Sequence, residues 1–417
     1  MSQILEKTLK QAQTAAHTLA ISPLKKRNHF LKLVSGTLRK NQNSVLRANR
    51  QDIAALGEGH PLADRLLLDA RRILGMARDV RAIASQPDPL HNVLEQKILA
   101  NGLRLKKQSV PLGVISVIYE SRPNVTVDSA CLAIKSGNAI LLKGGSESEK
   151  SNLALVSLLK HCLIKAGLPS GAVSYVRQGR RGMAKIIASP EYVDVIIPRG
   201  GARLIDFVRK HSEVPVIETG AGVCHTYIDG SANVAQAVCI AHNAKTSRPT
   251  VCNALDTLLI HRAKAKPVLE QLAPLLAKSK VTVYADRESM RHLQKSGYLF
   301  AHPAQNKHFG KEFLSMAMAV KIVPSLQTAL DHISRYGSRH SEAIVSTNKK
   351  HIDTFLNEVD AACVYANAST RFTDGSQFGL GGEIGISTQK LHARGPLGLT
   401  ELTSYKWIIT GTGQIRT

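Results

Sequence analysis

Six cysteines, at positions 131, 162, 224, 239, 252 and 363, set the range of chemistry open to this chain. None form a C-x-x-C pair, and no Cys/His cluster has zinc-ligand spacing, so no metal site is expected. Cys131, Cys162 and Cys239 fall in apolar helical stripes, and Cys363 in an apolar strand-like run. There a cysteine serves as a small buried apolar residue. Cys224 has His225 beside it, but neighbours in a strand point to opposite faces. Cys252 ends a polar loop, Thr246-Ser247-Arg248-Pro249-Thr250-Val251-Cys252, with Lys245 and Arg248 near it in sequence. Positive charge lowers a thiol pKa and favours the nucleophilic thiolate. Cys252 is therefore the best candidate nucleophile of the six, with burial as a small apolar residue the competing reading. Glu218 ends a strand-like run and opens Thr219-Gly220-Ala221-Gly222. It reads either as a base or as an ordinary capping carboxylate.

Two further loops have the composition of phosphate cradles. One is Lys143-Gly144-Gly145-Ser146 and the other Pro198-Arg199-Gly200-Gly201. A strand leading through glycines into a helix lets backbone N–H groups approach an anion. Lys143 adds a charge, and Ser146 leaves room for a bulky 2′-phosphate. Neither loop matches G-x-G-x-x-G or the P-loop pattern, so a tight turn remains the alternative for each.

The elements that must hold these residues follow from periodicity. Residues 1–90 repeat apolar positions at three and four residues, as helices do, with breaks near Ser22-Pro23 and from Gly57 to Pro61. Asn101-Gly102 between short apolar runs signals a hairpin. From residue 114, strand-like runs at 114–119, 139–142, 173–176, 193–197 and 214–218 alternate with helical stripes such as Leu155, Leu159, Cys162, Leu163 and Ala166. That alternation predicts a doubly wound parallel sheet, which binds ligands beyond the C-terminal ends of its strands. A second α/β set follows: a helix over 231–245 and strands at 255–261, 319–323, 343–345 and 361–365, with a last strand at 406–410.

At 417 residues the chain exceeds one core, and two domains with a small third element are expected. No apolar run is long enough for a membrane span, and no signal-peptide core opens the chain, so a cytoplasmic protein with reduced thiols is expected. The net charge of +24 raises nucleic-acid binding as a function. Its Lys/Arg pairs are scattered, however, and aromatic residues for base stacking make up 4% of the chain. A basic solvated surface that attracts anionic substrates fits the pattern better than a nucleic-acid groove.

Several stretches together resemble the γ-glutamyl phosphate reductase (glutamate-5-semialdehyde dehydrogenase) family of the aldehyde dehydrogenase superfamily. They are Val117-Ile118-Tyr119-Glu120-Ser121-Arg122-Pro123-Asn124-Val125-Thr126; Lys135-Ser136-Gly137-Asn138-Ala139 leading to Gly144-Gly145-Ser146; and Ile217-Glu218-Thr219-Gly220. The others are Asn243-Ala244-Lys245-Thr246 through Val251-Cys252-Asn253-Ala254, the run from Val364 to Gly375, and the tail from Glu383 to Pro396. The resemblance spans nearly the whole chain. It implies an α/β, aldehyde dehydrogenase-like fold: a Rossmann-like doubly wound cofactor domain (1–97 and 113–225), a second α/β catalytic domain (226–385), and a small β oligomerisation element (98–112 and 386–417).

The same resemblance implies reduction of L-glutamate 5-phosphate by NADPH in proline synthesis, through a thioester on Cys252. Lys143 would hold the adenosine ribose, Ser146 would admit NADP, and Glu312 would contact the nicotinamide ribose. Gly144, Gly145, Pro198, Arg199, Gly200 and Gly201 complete the expected cofactor loops. Glu218 aligns with the glutamate that hydrolytic relatives use to activate water. Ser121 stands where generic members carry an oxyanion-holding Asn, a role Asn124 or the Cys252 backbone N–H could take over. Arg122 or Arg248 would meet the departing phosphate, with Ser121 beside them. Thr250 replaces an expected Gly. A homo-oligomer, dimer or tetramer, and channelling from glutamate 5-kinase are implied as well; no membrane or nucleic-acid partner is. A hydrolytic NAD(P)-dependent aldehyde dehydrogenase is the alternative enzyme, and a basic nucleic-acid-binding protein the alternative of another class.

Overall fold

The computed structural model describes residues 2–57, 60, 62–177 and 179–416. The chain forms two compact units: Met1–Thr219 with Phe378–Gly385 and Pro396–Thr417, and Gly220–Gln377 with Ile386–Gly395.

The first unit begins with helices Ser2–Ala20, Leu24–Lys40, Gln42–Leu56 and Ala70–Ser85. The expected break at Ser22-Pro23 is present, and Pro23 takes the N-cap position of the second helix. Of the break expected from Gly57 to Pro61, Glu58, Gly59 and Pro61 lie outside the described residues. Phe30, Leu31, Val34 and Leu38 are fully buried, as their spacing along one helix face requires. Arg27 is buried with them and donates to both carboxylate oxygens of Asp88 at 3.0 and 2.8 Å, which compensates its desolvation.

A four-stranded parallel sheet follows in the order Val173–Tyr175, Ala139–Lys143, Val114–Tyr119, Val195–Arg199. All six residues of Val114–Tyr119 are buried, because helices cover both faces of a parallel sheet. The strand expected at 214–218 is not one. It makes only an isolated bridge between Val216 and Ile196, since Pro215 has no N–H to extend the ladder. The hairpin around Asn101-Gly102 forms, with Gly102 at φ +86°, where a side chain would be strained. Its strands Val93–Ile98 and Arg104–Pro111 join Thr403–Thr410 in a three-stranded antiparallel sheet.

Among the described residues, the second unit holds a seven-stranded parallel sheet. Its order is Ala301–Pro303, Thr282–Ala285, Ala317–Val323, Leu255–His261, Cys224–Ile228, Ser341–Val345, Cys363–Ala366. Helix Arg262–Lys278 packs Val268, Leu269, Leu272 and Leu276 into the core on one face. Helix Leu326–Tyr336 contributes Ala329, Leu330 and Ile333 to a second cluster. His332 from that helix is buried against the rings of His225, Phe309 and Tyr336.

Burial, with His225 and nearby basic groups adding to it, pushes the His332 imidazole from 6.5 down to about 3. Between those values the unfolded chain binds the extra proton, so this residue costs stability as pH falls from 6.5 towards 3. Urea unfolding of the parent and His332→Phe at pH 7, 6 and 5 should diverge, the parent losing ground at a slope approaching ~1.4 kcal/mol per pH unit. Parallel stability curves would mean that His332 titrates normally in the fold.

Candidate active site

The residues expected to carry chemistry fall into two sets, one in each unit. In the first unit, Ser121, the Lys143–Ser146 loop and the Arg199–Gly201 loop all leave the C-terminal ends of adjacent parallel strands. The strand Val114–Tyr119 is first in the chain, and the later strands are added first on one side of it and then on the other, so the crevice between its loop and the flanking ones is a topological switch point.

Two carboxylates stitch these loops together. Glu147 accepts from the backbone N–H of Ser121 at 2.9 Å and from its hydroxyl, holding Ser121 at φ +38°. A non-glycine residue in that region persists only when its surroundings fix it. Glu120 accepts from Gly201 N–H at 2.8 Å. A methyl group on Gly145 would meet the Glu147 carboxylate, and one on Gly200 the Glu120 carboxylate, so a side chain there would have to displace these carboxylates from their hydrogen bonds. Lys143 is nearly buried and donates to the Gly144 carbonyl at 2.7 Å; desolvation lowers its pKa. Beside Ser146 lies a cavity of about 570 Å³ between helices Gln42–Leu56 and Glu149–Lys165, walled by Ala55, Leu56 and Leu153 and edged by Lys150, Arg177 and the carboxylates of Asp52, Glu147 and Glu149, with Arg177 3.6 Å from Glu149.

Other members of this set have partners within the unit. Pro198 accepts from the Thr219 hydroxyl at 2.6 Å. The Arg199 guanidinium donates to the Ile384 carbonyl. Glu218 is 3.8 Å from Arg209 Nε in a partly exposed pair. Arg122 caps helix Pro123–Lys135, and in its first turns Asn124 Nδ2 donates to Asp128 at 3.0 Å. Burial pushes the Asp128 carboxyl up to about 7, opposed by that hydrogen bond. Sequence reasoning missed Asp128; its i, i+4 spacing from Asn124 on a helix was the available signal.

The second set centres on Cys252. It sits partly exposed in the turn between helix Val234–Thr246 and strand Leu255–His261, just before the N-terminal end of that strand. Lys245 is not beside the thiol as sequence proximity suggested. It is buried beneath the turn, donating to the Leu255 carbonyl at 2.7 Å and facing Asp256 at 3.8 Å. Burial lowers its pKa and raises that of Asp256 to about 7. The cation that does meet the turn is Arg371, which sequence reasoning quoted in a motif without assigning it a role. Its guanidinium donates to Asn253 Oδ1 and, at 3.1 Å, to Ser247 Oγ. Burial lowers the Arg371 pKa, and the nearby Arg248 charge lowers it further, so the two guanidiniums face a shared region. Glu312 accepts from Gly222 N–H at 2.9 Å, and Gly222 packs on the Cys252 carbonyl so closely that a methyl group would overlap it. Gly222 thus links Glu312 to the thiol-bearing turn. Among the described residues, no cluster of three His, Cys, Asp or Glu could hold a metal, and no helix is long and apolar enough to cross a membrane.

Comparison with known proteins gives a consistent answer. The aldehyde dehydrogenase family model matches residues 2–290. The chain is 49% identical to a γ-glutamyl phosphate reductase from Chlorobium limicola, over all of both chains. It is similar to the crystal structure of γ-glutamyl phosphate reductase from Thermotoga maritima, with a TM-score of 0.94, 40% identity, and coverage of 99% of this chain and 100% of that one. An engineered glycolyl-CoA reductase with bound NADP+ shares the fold at 16% identity and a TM-score of 0.70, covering 97% of this chain and 96% of its own.

Overpacking at Gly222 offers a direct check of the turn geometry. Cys239, expected to be buried on an apolar stripe, is exposed because it falls on the outer face of helix Val234–Thr246. In a Cys239→Ser background, Gly222→Ala should destabilise the chain by ~1–3 kcal/mol and change the rate at which iodoacetamide alkylates Cys252. Parent-like melting and labelling would mean that the turn does not rest on Gly222.

Proposed function

The chain belongs to the γ-glutamyl phosphate reductase family of the aldehyde dehydrogenase superfamily, and on that premise we propose that it reduces L-glutamate 5-phosphate to L-glutamate 5-semialdehyde with NADPH, releasing phosphate. The observation that carries the reading is Cys252, half-exposed on a fixed turn with Arg371 and Arg248 beside it.

The Cys252 thiolate attacks the γ-acyl carbon, the carbon–oxygen bond to phosphate breaks, and phosphate leaves with the bonding pair. Phosphate needs no proton to depart, so cations serve it better than a general acid. Arg371 and Arg248 are assigned that charge, and Arg122 remains a further candidate. The oxyanion is assigned to the Cys252 backbone N–H. Ser121 is assigned to shaping its loop, since its hydroxyl is given to Glu147.

Bound NADPH would supply hydride to the thioester carbon; the Cys252 sulfur would then leave as thiolate, releasing the aldehyde. The residues fit such a cofactor. The apolar walls of the Ser146 cavity suit an adenine, the short Ser146 side chain leaves room at a ribose 2′-position, and Lys150 and Arg177 supply positive charge for a phosphate there. Lys143, Gly144 and Gly145 are assigned to the ribose side, the Pro198–Gly201 loop to the pyrophosphate side, and Glu312 to the nicotinamide ribose. Glu218 is assigned a positioning or proton-balancing role, because an efficient water activator would hydrolyse the thioester and waste it.

The reading extends to a cytoplasmic homo-oligomer, dimer or tetramer, that receives its labile acyl phosphate from glutamate 5-kinase. The antiparallel sheet supports the oligomer: Val93, Leu94, Ile98, Trp407 and Ile409 are exposed on it.

Two measurements test this. With glutamate 5-semialdehyde and NADP+, NADPH should form only when phosphate or arsenate is present, and Cys252→Ser should abolish it. Equal rates without phosphate would favour the hydrolytic dehydrogenase instead. Separately, Arg371→Met should raise the KM for phosphate at least tenfold in that direction, while the KM for NADP+ stays unchanged. An unaltered phosphate KM would remove Arg371 from the phosphate site.

A further inference from the structure

Cys224 is fully buried at the start of the strand beside Cys252, and its position is unusual for a merely space-filling thiol. Its Sγ–H donates to the main-chain carbonyl of Cys252 at 3.1 Å. Burial, reinforced by the nearby Glu342 and Asp256 carboxylates, holds its pKa well above the ordinary thiol value. Cys224 therefore stays a neutral S–H donor and does not compete as a nucleophile.

The contact is the first link of a closed circuit. The Cys224 sulfur lies 3.8 Å from Nδ1 of His340, which is kept uncharged by its own burial. That nitrogen is 2.8 Å from Ser341 Oγ, and Ser341 Oγ is 2.7 Å from Thr373 Oγ1. The carbonyl of Thr373 accepts from Asn253 Nδ2 at 2.8 Å, returning to the residue next to Cys252. The Asn253 carbonyl accepts from Thr370 Oγ1 at 2.8 Å. Two successive main-chain carbonyls, those of Cys252 and Asn253, are thus each held by a donor, and Gly222 packs against the first of them. Pairing of Cys224 with Leu255 in the sheet sets the register that brings the sulfur under the turn.

We propose that Cys224 is a positioning residue for the nucleophile: its thiol, by holding the Cys252 carbonyl inward, fixes the backbone rotation that points the Cys252 side chain at the acyl carbon. The proposal rests on Cys252 being the nucleophile. A misplacement of about 1 Å at a reacting group can cost on the order of a hundredfold in rate, so a weak S–H donor can matter far more to turnover than to stability.

The test is the kinetics of Cys224→Ala and Cys224→Ser with glutamate 5-semialdehyde, NADP+ and phosphate, beside Cys252→Ala and a melting curve for each. Cys224→Ala is expected to lose at least tenfold in kcat with the substrate KM unchanged. Cys224→Ser, which restores a donor, should recover to within about threefold of the parent. A parent-like kcat for Cys224→Ala overturns the proposal, as does an equal loss in both folded variants, which would assign Cys224 to packing alone. If the alanine variant does not fold, Cys224→Thr and Cys224→Val, alike in shape, decide it: turnover must survive in the first and fall in the second, and equal turnover overturns the proposal. Turnover in Cys252→Ala would sink the functional reading itself. A dead Cys252→Ala beside a parent-like Cys224→Ala removes the positioning role alone.

Discussion

The Cys252 carbonyl is turned into the protein, and much of the second unit is arranged to keep it there. A main-chain oxygen directed inward needs a donor and a surface to rest on. Cys224 provides the donor, and Gly222, lacking a side chain, provides the surface. Both lie on the strand-forming segment that pairs with Leu255, so the parallel register of two central strands determines whether the turn can form. The segment from Ser369 to Thr373 then braces the turn through Thr370, Arg371 and Thr373. The hydrogen bonds of this turn converge on the main chain at Cys252 and Asn253, and the thiol itself stays partly exposed.

The first unit meets a different constraint. Loops at the end of a parallel sheet carry backbone N–H groups that either bind a ligand or find protein partners. Here Glu147 and Glu120 already occupy the N–H groups of Ser121 and Gly201. These carboxylates fix the loop conformations, and they also place negative charge where an anionic cofactor is proposed to lie. Lys150 and Arg177 at the cavity rim supply positive charge, but Asp52 and Glu149 line the same rim and Arg177 faces Glu149 at 3.6 Å. Cofactor preference on this reading depends on the balance between fixed acidic struts and basic rim, which a glycine motif by itself does not reveal.

How much of this the sequence disclosed depends on whether the signal was local. Helix stripes, the Asn101-Gly102 hairpin and the strands at 114–119 and 255–261 are set by neighbours in the chain, and they could be read directly. Val214 to Glu218 looked like a strand because its apolar residues alternate; Pro215 interrupts the ladder, and composition alone weighed that too lightly. Cys224–Ile228 was overlooked for the opposite reason: all five residues are buried on both faces, so no polar alternation marks them. The clearest miss concerns charge. Lys245, close to Cys252 in sequence, is spent on Leu255 and Asp256 beneath the turn. Arg371, far away in sequence, is the cation at the turn. Helix geometry carried Lys245 inward, and only the tertiary fold could bring Arg371 to it.

That exchange of cations bears on the chemistry. A buried lysine paired with a carboxylate is electrically quiet and serves the turn's architecture; a guanidinium held by Asn253 and Ser247 beside a second arginine keeps its charge directed outward. An acyl phosphate is activated before it arrives, so its site needs little proton transfer. What it must supply is a fixed sulfur, donors for one oxyanion and cations for a leaving dianion. The turn at Cys252 has this composition, with the charged groups gathered beside the thiol and the proton-bearing ones, Cys224, His340 and Ser341, buried behind it as structure. A hydrolytic enzyme on the same fold would require the reverse emphasis, a well-placed base for water beside the thioester. In this chain Glu218, proposed above for a positioning role, is partly exposed and lies 3.8 Å from Arg209. On the proposed reading, phosphate release is favoured by the guanidinium that the turn itself holds, Arg371 bonded to Asn253 and Ser247.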